Sequence, residues 1–226
     1  GVPLDSSREK FDESLDLLQA LLSEEEVSWD GKYYKFDPIT IMPRPVRAPQ
    51  IMMAVMVPPG IHACTKRGFH IQTTPLSGNH QMMLDQVTAH KTAKAEMGED
   101  GKHLTLSLSR VGFICKSPAD RQAKIEQAND YYSRFDNVFT GPGLVENGMI
   151  KPLPRKQTID ELADSLLICT PQEMIDKLAP YANAGVDRVI LNINFGASQS
   201  ETLDCIQQFA EDVMPHFNDR TSLAAE

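Results

Sequence analysis

The chain has 226 residues, 41% of them hydrophobic and 23% charged, with a formal net charge of −9. That length and balance fit a soluble globular protein of one large domain, or one and a half small ones, with a sizeable core. The charges are mixed along the chain without a Lys/Arg run, which speaks against a nucleic-acid partner, and no apolar run reaches the roughly 20 residues that span a bilayer. The four cysteines Cys64, Cys115, Cys169 and Cys205 form no C-x-x-C pair. They read as reduced, mostly buried thiols of a cytoplasmic protein. The six histidines have no metal-ligand spacing and read as surface or helix-face residues, so no metal site is expected.

Phe11, Leu15, Leu18 and Leu22 recur at helical spacing, predicting a helix over about 7–24. A turn at Asp30-Gly31 precedes a short extended piece over Tyr33–Phe36. Pro38, Pro43, Pro45 and Pro49 then make 37–49 irregular. The unbroken apolar run 51–57, bounded by prolines, reads as a strand buried on both faces, as in parallel sheets. A helix near 60–67, a strand over 70–74, a helix over about 80–97 capped by Asn79, and a strand over 104–115 follow. Ser117-Pro118-Ala119-Asp120 opens a helix to about Val138. Residues 139–157, rich in Gly and Pro, read as one long mobile loop. A short helix over about 158–167 comes next. Thr170-Pro171-Gln172-Glu173 is a capping box for a helix to Ala184, ended by Gly185. A strand over 188–194 and a last helix from Ser198 to near Pro215 complete the walk. Strands alternating with amphipathic helices predict βαβ units and a parallel sheet.

The last third reads Ile-Cys-Thr-Pro-Gln-Glu-Met over 168–174, Ala-Gly-Val-Asp-Arg-Val-Ile-Leu over 184–191 and Val-Met-Pro-His-Phe over 213–217. Upstream stand Trp29-Asp30-Gly31-Lys32-Tyr33-Tyr34, Pro43-Arg44-Pro45 and Pro49-Gln50-Ile51. In this order the segments resemble the C-terminal part of the bacterial luciferase-like flavin-dependent monooxygenases. The resemblance implies an α/β fold of the TIM-barrel (β/α)8 type, one domain over 1–226, with the N-terminal strands absent. It also implies about 100 or more residues upstream of Gly1 in the natural protein, carrying the family's catalytic His. The catalytic residue is therefore not assigned.

A TIM barrel keeps its site at the C-terminal ends of its strands. Relatives hold the FMN phosphate at the turn that here reads Met56-Val57-Pro58-Pro59-Gly60-Ile61, so Met56, Val57, Pro59, Gly60 and Ile61 are candidate cofactor contacts. Prolines supply no N–H, and a tight structural turn is the equal alternative. Thr73 and Thr74 end the second parallel strand and face either the site or the surface. Arg110 lies inside a strand and is expected to need an anionic partner, structural or ligand. Alternation puts Asn192 and Asn194 on one face, near the site or bonded to loops. Gly196-Ala197-Ser198 precedes a helix N-terminus, a second candidate anion site. Met52, Met53, Met56, Met82 and Met83 read as core filler, with Met56 as an alternative pocket wall. The loop 139–157 falls at the lid position of relatives, with Gly141 and Gly143 giving it freedom.

By resemblance the function is a monooxygenase using reduced FMN and O2 on a small organic substrate. A flavin reductase would be the partner and a homo- or hetero-dimer the assembly. A deazaflavin-dependent oxidoreductase of the same superfamily and a non-catalytic truncated subunit are the alternatives.

Overall fold

The computed structural model describes residues 3–139 and 141–217. Gly1, from which the upstream extension was argued, and Thr140 of the expected loop lie outside the described residues. The chain divides into two compact units, Gly1–Ile51 and Met52–Glu226.

In the first unit, helix α1 (Leu4–Ser23) is followed by strands β1 (Val27–Asp30) and β2 (Lys35–Ile39), which pair antiparallel. The Asp30-Gly31 turn is therefore the tip of a hairpin, which the sequence reading did not recognise. Glu13 of α1 holds that tip. Its carboxylate accepts from the Tyr33 and Tyr34 amides, at 3.0 Å each, and from Trp29 Nε1 at 3.1 Å. A carboxylate accepting backbone N–H bonds is a strong anchor. These bonds hold the Glu13 pKa below the usual carboxylate range even though desolvation opposes them.

The second unit is an α/β layer. Strands β3 (Met52–Ala54), β4 (His70–Thr73) and β5 (Leu106–Ile114) alternate with helices α2 (Pro58–Lys66) and α3 (His80–Met97). Helix α4 (Pro118–Phe139) leads to a small hairpin, β6 (Val145–Glu146) and β7 (Met149–Ile150). Helix α5 (Ile159–Ser165), strand β8 (Leu167–Cys169), helix α6 (Pro171–Ala184), strand β9 (Arg188–Asn192) and helix α7 (Gln199–Gln208) complete it. The strands β3, β4, β5 and β9 pair in that order, all parallel. The expected parallel sheet is therefore present, and it stays open among the described residues.

Strand β8 is not among the predicted elements; the helix expected to about 167 reaches only its first residue. Its three residues lie between two capped helices, and pairing with β5 decides their conformation. The Thr105 carbonyl accepts from Ile71 N at 2.9 Å, and Cys115 N donates to Cys169 O at 2.8 Å. Both positions are odd-numbered, so β8 extends the same edge of β5 as β4, beyond the end of β4. On the opposite edge β9 stops early, and the Ile114 amide donates to Cys205 Sγ at 3.3 Å. Cys115, Cys169 and Cys205 are buried free thiols. Burial pushes Cys115 up to about 12 and Cys169 up to about 11.

Three expectations about burial are corrected. The run 51–57 yields a strand of only three residues, and Met52 and Ala54 are exposed while Met53 packs on the core. No described element covers that face of β3. Met56 and Met82 are likewise exposed, and of the five methionines expected as core filler only Met83 is fully buried. The histidines are also not all peripheral: His70 and His90 are buried. His90 Nδ1 lies 2.9 Å from Thr65 Oγ1, and burial lowers its pKa to about 4.

Candidate functional site

The C-terminal ends of β3 and β4 are joined by a residue that sequence reasoning missed. Gln86, buried on α3, donates through Nε2 to Met56 O at 2.8 Å and to Thr74 O at 3.0 Å. It lies on the same helical stripe as Met83, Val87 and His90, and a polar residue inside such a stripe was the signal available.

The turn Met56–Ile61 forms the start of α2, with Pro58 and Pro59 in its first turn. Neither proline has an N–H, and Ile61 N already donates to Val57 O at 3.0 Å. In the first turn of α2, only the Gly60 amide remains. A Cβ at Gly60 would lie 2.8 Å from Val55 Cγ2, so side chains already pack against this glycine. No hydroxyl occurs over 55–61. One amide cannot match a phosphate dianion, so this turn alone does not fit the phosphate. Met56 and Val57 instead present exposed apolar surface.

Thr74 Oγ1 accepts from Leu76 N at 2.9 Å, which commits its hydroxyl to the loop after β4. Thr73 Oγ1 is buried without a hydrogen-bond partner among the described residues. Arg110 is 2% exposed, and its partners correct the expectation of an anion. Nη1 donates to Leu76 O at 2.9 Å and Gly78 O at 3.3 Å, and Nη2 donates to Ser165 O. Carbonyl dipoles, one of them at the C-terminal end of α5, take the place of a carboxylate. Arg110 thereby ties the β4–α3 loop to α5.

The second candidate anion site is also corrected. Ser198 caps α7 in a capping box, with Glu201 Oε2 accepting from Ser198 N at 2.8 Å. The buried Lys124 ammonium donates to Glu201 Oε1 at 2.5 Å, and this bond together with those from Ser198 lowers the Glu201 pKa to about 2. The chain's own carboxylate already occupies the position where an anion would bind. Asn192 shares its face with Ile190, opposite the core-packed Val189 and Leu191. The side chains of Asn192 and Asn194 make no hydrogen bond among the described residues.

A cleft of about 870 Å³ opens where the β4–α3 loop meets the segment before α5. Ser77, Gly78, Asn79 and Met82 form one wall, with Leu153–Gln157 opposite. Gly141 lines it, whereas Gly143 and the two asparagines do not. Arg155, also missed from sequence, is central. Its Nη2 donates to Ser77 Oγ at 2.8 Å and to Gln157 Oε1 at 2.9 Å, and its guanidinium lies 5.0 Å over the Tyr132 ring.

The segment expected as one loop carries the hairpin β6–β7. Asn147 and Gly148, with φ of 51° and 76°, form its tip. Positive φ at both central residues is the two-residue hairpin geometry that Asn-Gly favours. Asn137, fully buried on α4, anchors it: Nδ2 donates to Leu144 O at 2.9 Å and Lys151 O at 2.6 Å, and Oδ1 accepts from Leu144 N at 2.9 Å. Replacing Asn137 with alanine is expected to cost about 2–3 kcal/mol, because buried backbone groups lose their partners. Urea unfolding measures that loss, and proteolysis should cut first within 141–151. A variant as stable and as protease-resistant as the parent would disprove the anchor.

The sequence profile described as luciferase-like monooxygenase matches residues 1–188. The oxygenase component of a flavin-dependent trigonelline monooxygenase from Acinetobacter baylyi is 24% identical over 200 residues, covering 84% of this chain and 55% of that protein. The chain thus spans about 55% of the length of this curated relative. Among solved structures, a monooxygenase from Streptomyces bottropensis superposes with a TM-score of 0.72 at 19% identity, covering 96% of this chain and 63% of the other. An F420-dependent secondary alcohol dehydrogenase gives 0.68 at 16% identity, covering 96% and 64%. The FMN-bound oxygenating constituent of 3,6-diketocamphane monooxygenase from Pseudomonas putida gives 0.63 at 15% identity, covering 92% and 63%. These structures share the fold, and the profile match extends over most of the sequence: the chain belongs to the luciferase-like monooxygenase family.

Proposed function

We propose that this chain is part of the oxygenase component of a flavin-dependent monooxygenase that receives reduced FMN from a separate reductase. The observation that carries this reading is the family match over residues 1–188, on a parallel sheet whose strand ends open beside a cleft. The curated relative is itself an oxygenase component, which supports a reductase partner. Reduced flavin, once bound, supplies two electrons, so that one atom of O2 enters the substrate and the other leaves as water.

The chain's own residues would bind, orient and exclude water. Met56, Val57 and Pro59 offer an apolar wall to the flavin, and the Gly60 amide next to Ile61 adds one donor. Asn192 and Asn194 supply unpaired amides at the end of β9. Thr74 and Arg110 act through the loop they hold. Gly141 and Gly143 lie in the segment that would shield the site from water.

F420-dependent neighbours make the deazaflavin the second reading. Anaerobic titration of the chain with reduced FMN and with reduced F420, followed by fluorescence, tests both. The expected result is saturable binding of reduced FMN, with F420 at least about tenfold weaker, a difference of about 1.4 kcal/mol. Tighter F420 binding would transfer the assignment to the deazaflavin. Binding of neither would favour a non-catalytic subunit.

A further inference from the structure

The Arg155 side chain is 8% exposed, yet two of its nitrogens lack a hydrogen-bond acceptor among the described residues. Nη2 serves Ser77 and Gln157, while Nε and Nη1 serve nothing. Asp136 Oδ2 stands 3.6 Å from Nε, close enough for an ion pair but too far for an N–H···O bond. Buried polar groups are almost always satisfied, and an unsatisfied charged donor is costly. Such a group calls for an acceptor that the described residues do not provide.

The surroundings specify that acceptor. Ser77 and Asn79 lead into α3, an 18-residue helix with no acidic residue in its first turn. Its N-terminal end favours negative charge. The charged lining is Arg155 and Lys156 against Asp136, Glu161 and Asp164. Glu161 is committed to the capping box of α5. Three carboxylates against two cations disfavour a dianion, and the two cations, Arg155 and Lys156, are adjacent in the chain. Met82, Leu153 and Pro154 add apolar surface.

We propose that this cleft binds the carboxylate of a small organic acid, with Arg155 as the group that reads its charge. The carboxylate accepts from Nη1 and, in place of the neutral Gln157 oxygen, from Nη2, since charge-assisted bonds are about twice as strong as neutral ones. The apolar body of the acid lies along Met82, Leu153 and Pro154. The assignment of this acid as the oxidised substrate rests on the monooxygenase reading; the anion site itself does not.

The test is calorimetric titration of the 226-residue chain with sodium benzoate, benzamide and inorganic phosphate as probes. Benzoate is expected to bind at sub-millimolar Kd and benzamide at least about tenfold more weakly, a gap of about 1.4 kcal/mol. Arg155→Gln should weaken benzoate at least about tenfold, and Arg155→Lys should recover part of that loss. The benzoate–benzamide comparison uses the unsubstituted chain and so does not depend on a variant folding. No benzoate binding, equal affinity for benzoate and benzamide, or an unchanged folded Arg155→Gln variant would overturn the proposal. Displacement of benzoate by an equal concentration of inorganic phosphate would also overturn it, in favour of a phosphate ligand. Failure of the same preparation to bind either reduced flavin would sink the monooxygenase reading and leave the anion site standing.

Discussion

Replacing Arg110 with methionine is expected to destabilise the second unit by about 3–5 kcal/mol, the range for breaking a buried charged network. The guanidinium donates to three carbonyls, those of Leu76, Gly78 and Ser165. Methionine fills a similar volume and supplies no donor, so the three oxygens lose their partner in a water-poor site. The β4–α3 loop should then detach from α5, and the cleft lined by Gly78 and Ser165 should lose its shape. Chemical denaturation gives the stability. Hydrogen exchange at residues 76–79 gives the local effect. A variant that unfolds at the parent's urea midpoint, with unchanged exchange in that loop, would refute the role. Arg110→Lys is expected to rescue little, because one ammonium cannot reproduce the fixed fork that spans carbonyls on two elements.

Acidification is expected to cost up to about 3 kcal/mol through His90 alone, since its pKa falls from 6.5 to about 4 on folding and each unit is worth about 1.4 kcal/mol. Because the folded-state value lies below the unfolded one, the folded protein binds fewer protons. The stabilising contribution is full above about pH 6.5 and is lost as pH falls toward 4. Burial is the main cause; Lys94 lowers the value further, and Asp187 opposes it. His70, also buried and lowered, adds in the same direction. Urea unfolding at pH 7 and pH 4.5 reads the difference, and His90→Gln should flatten it while lowering stability at pH 7. Equal stability of the parent chain at the two pH values would show that His90 does not titrate as its burial requires.

The sequence made the parallel sheet legible for physical reasons. Apolar runs at 104–115 and 188–194 alternate with helices that carry local start and stop signals. Asn79, Thr170 and Ser198 could be read as caps because a cap needs only residues within one turn, and the structure finds all three hydrogen-bonded as caps. The Asn147-Gly148 hairpin was equally legible in principle, yet the surrounding glycines and prolines concealed it. The Asp30-Gly31 hairpin was half visible, since its anchor, Glu13, is separated from it along the chain.

What the sequence by itself determined is the alternation of strands and helices, the caps, and the family. These depend on residues a few positions apart and on segment order. The tertiary structure alone decided that the Arg110 guanidinium is held by carbonyls, that Lys124 pairs with Glu201, that Gln86 joins the ends of β3 and β4, that Asn137 anchors the β6–β7 hairpin, and that Arg155 bonds Ser77. Each of those depends on a partner from a different element. Arg110 and Ser165 are 55 positions apart, and Arg155 and Ser77 are 78 apart. A hydrogen bond over such a separation forms only after the sheet has brought the two elements together.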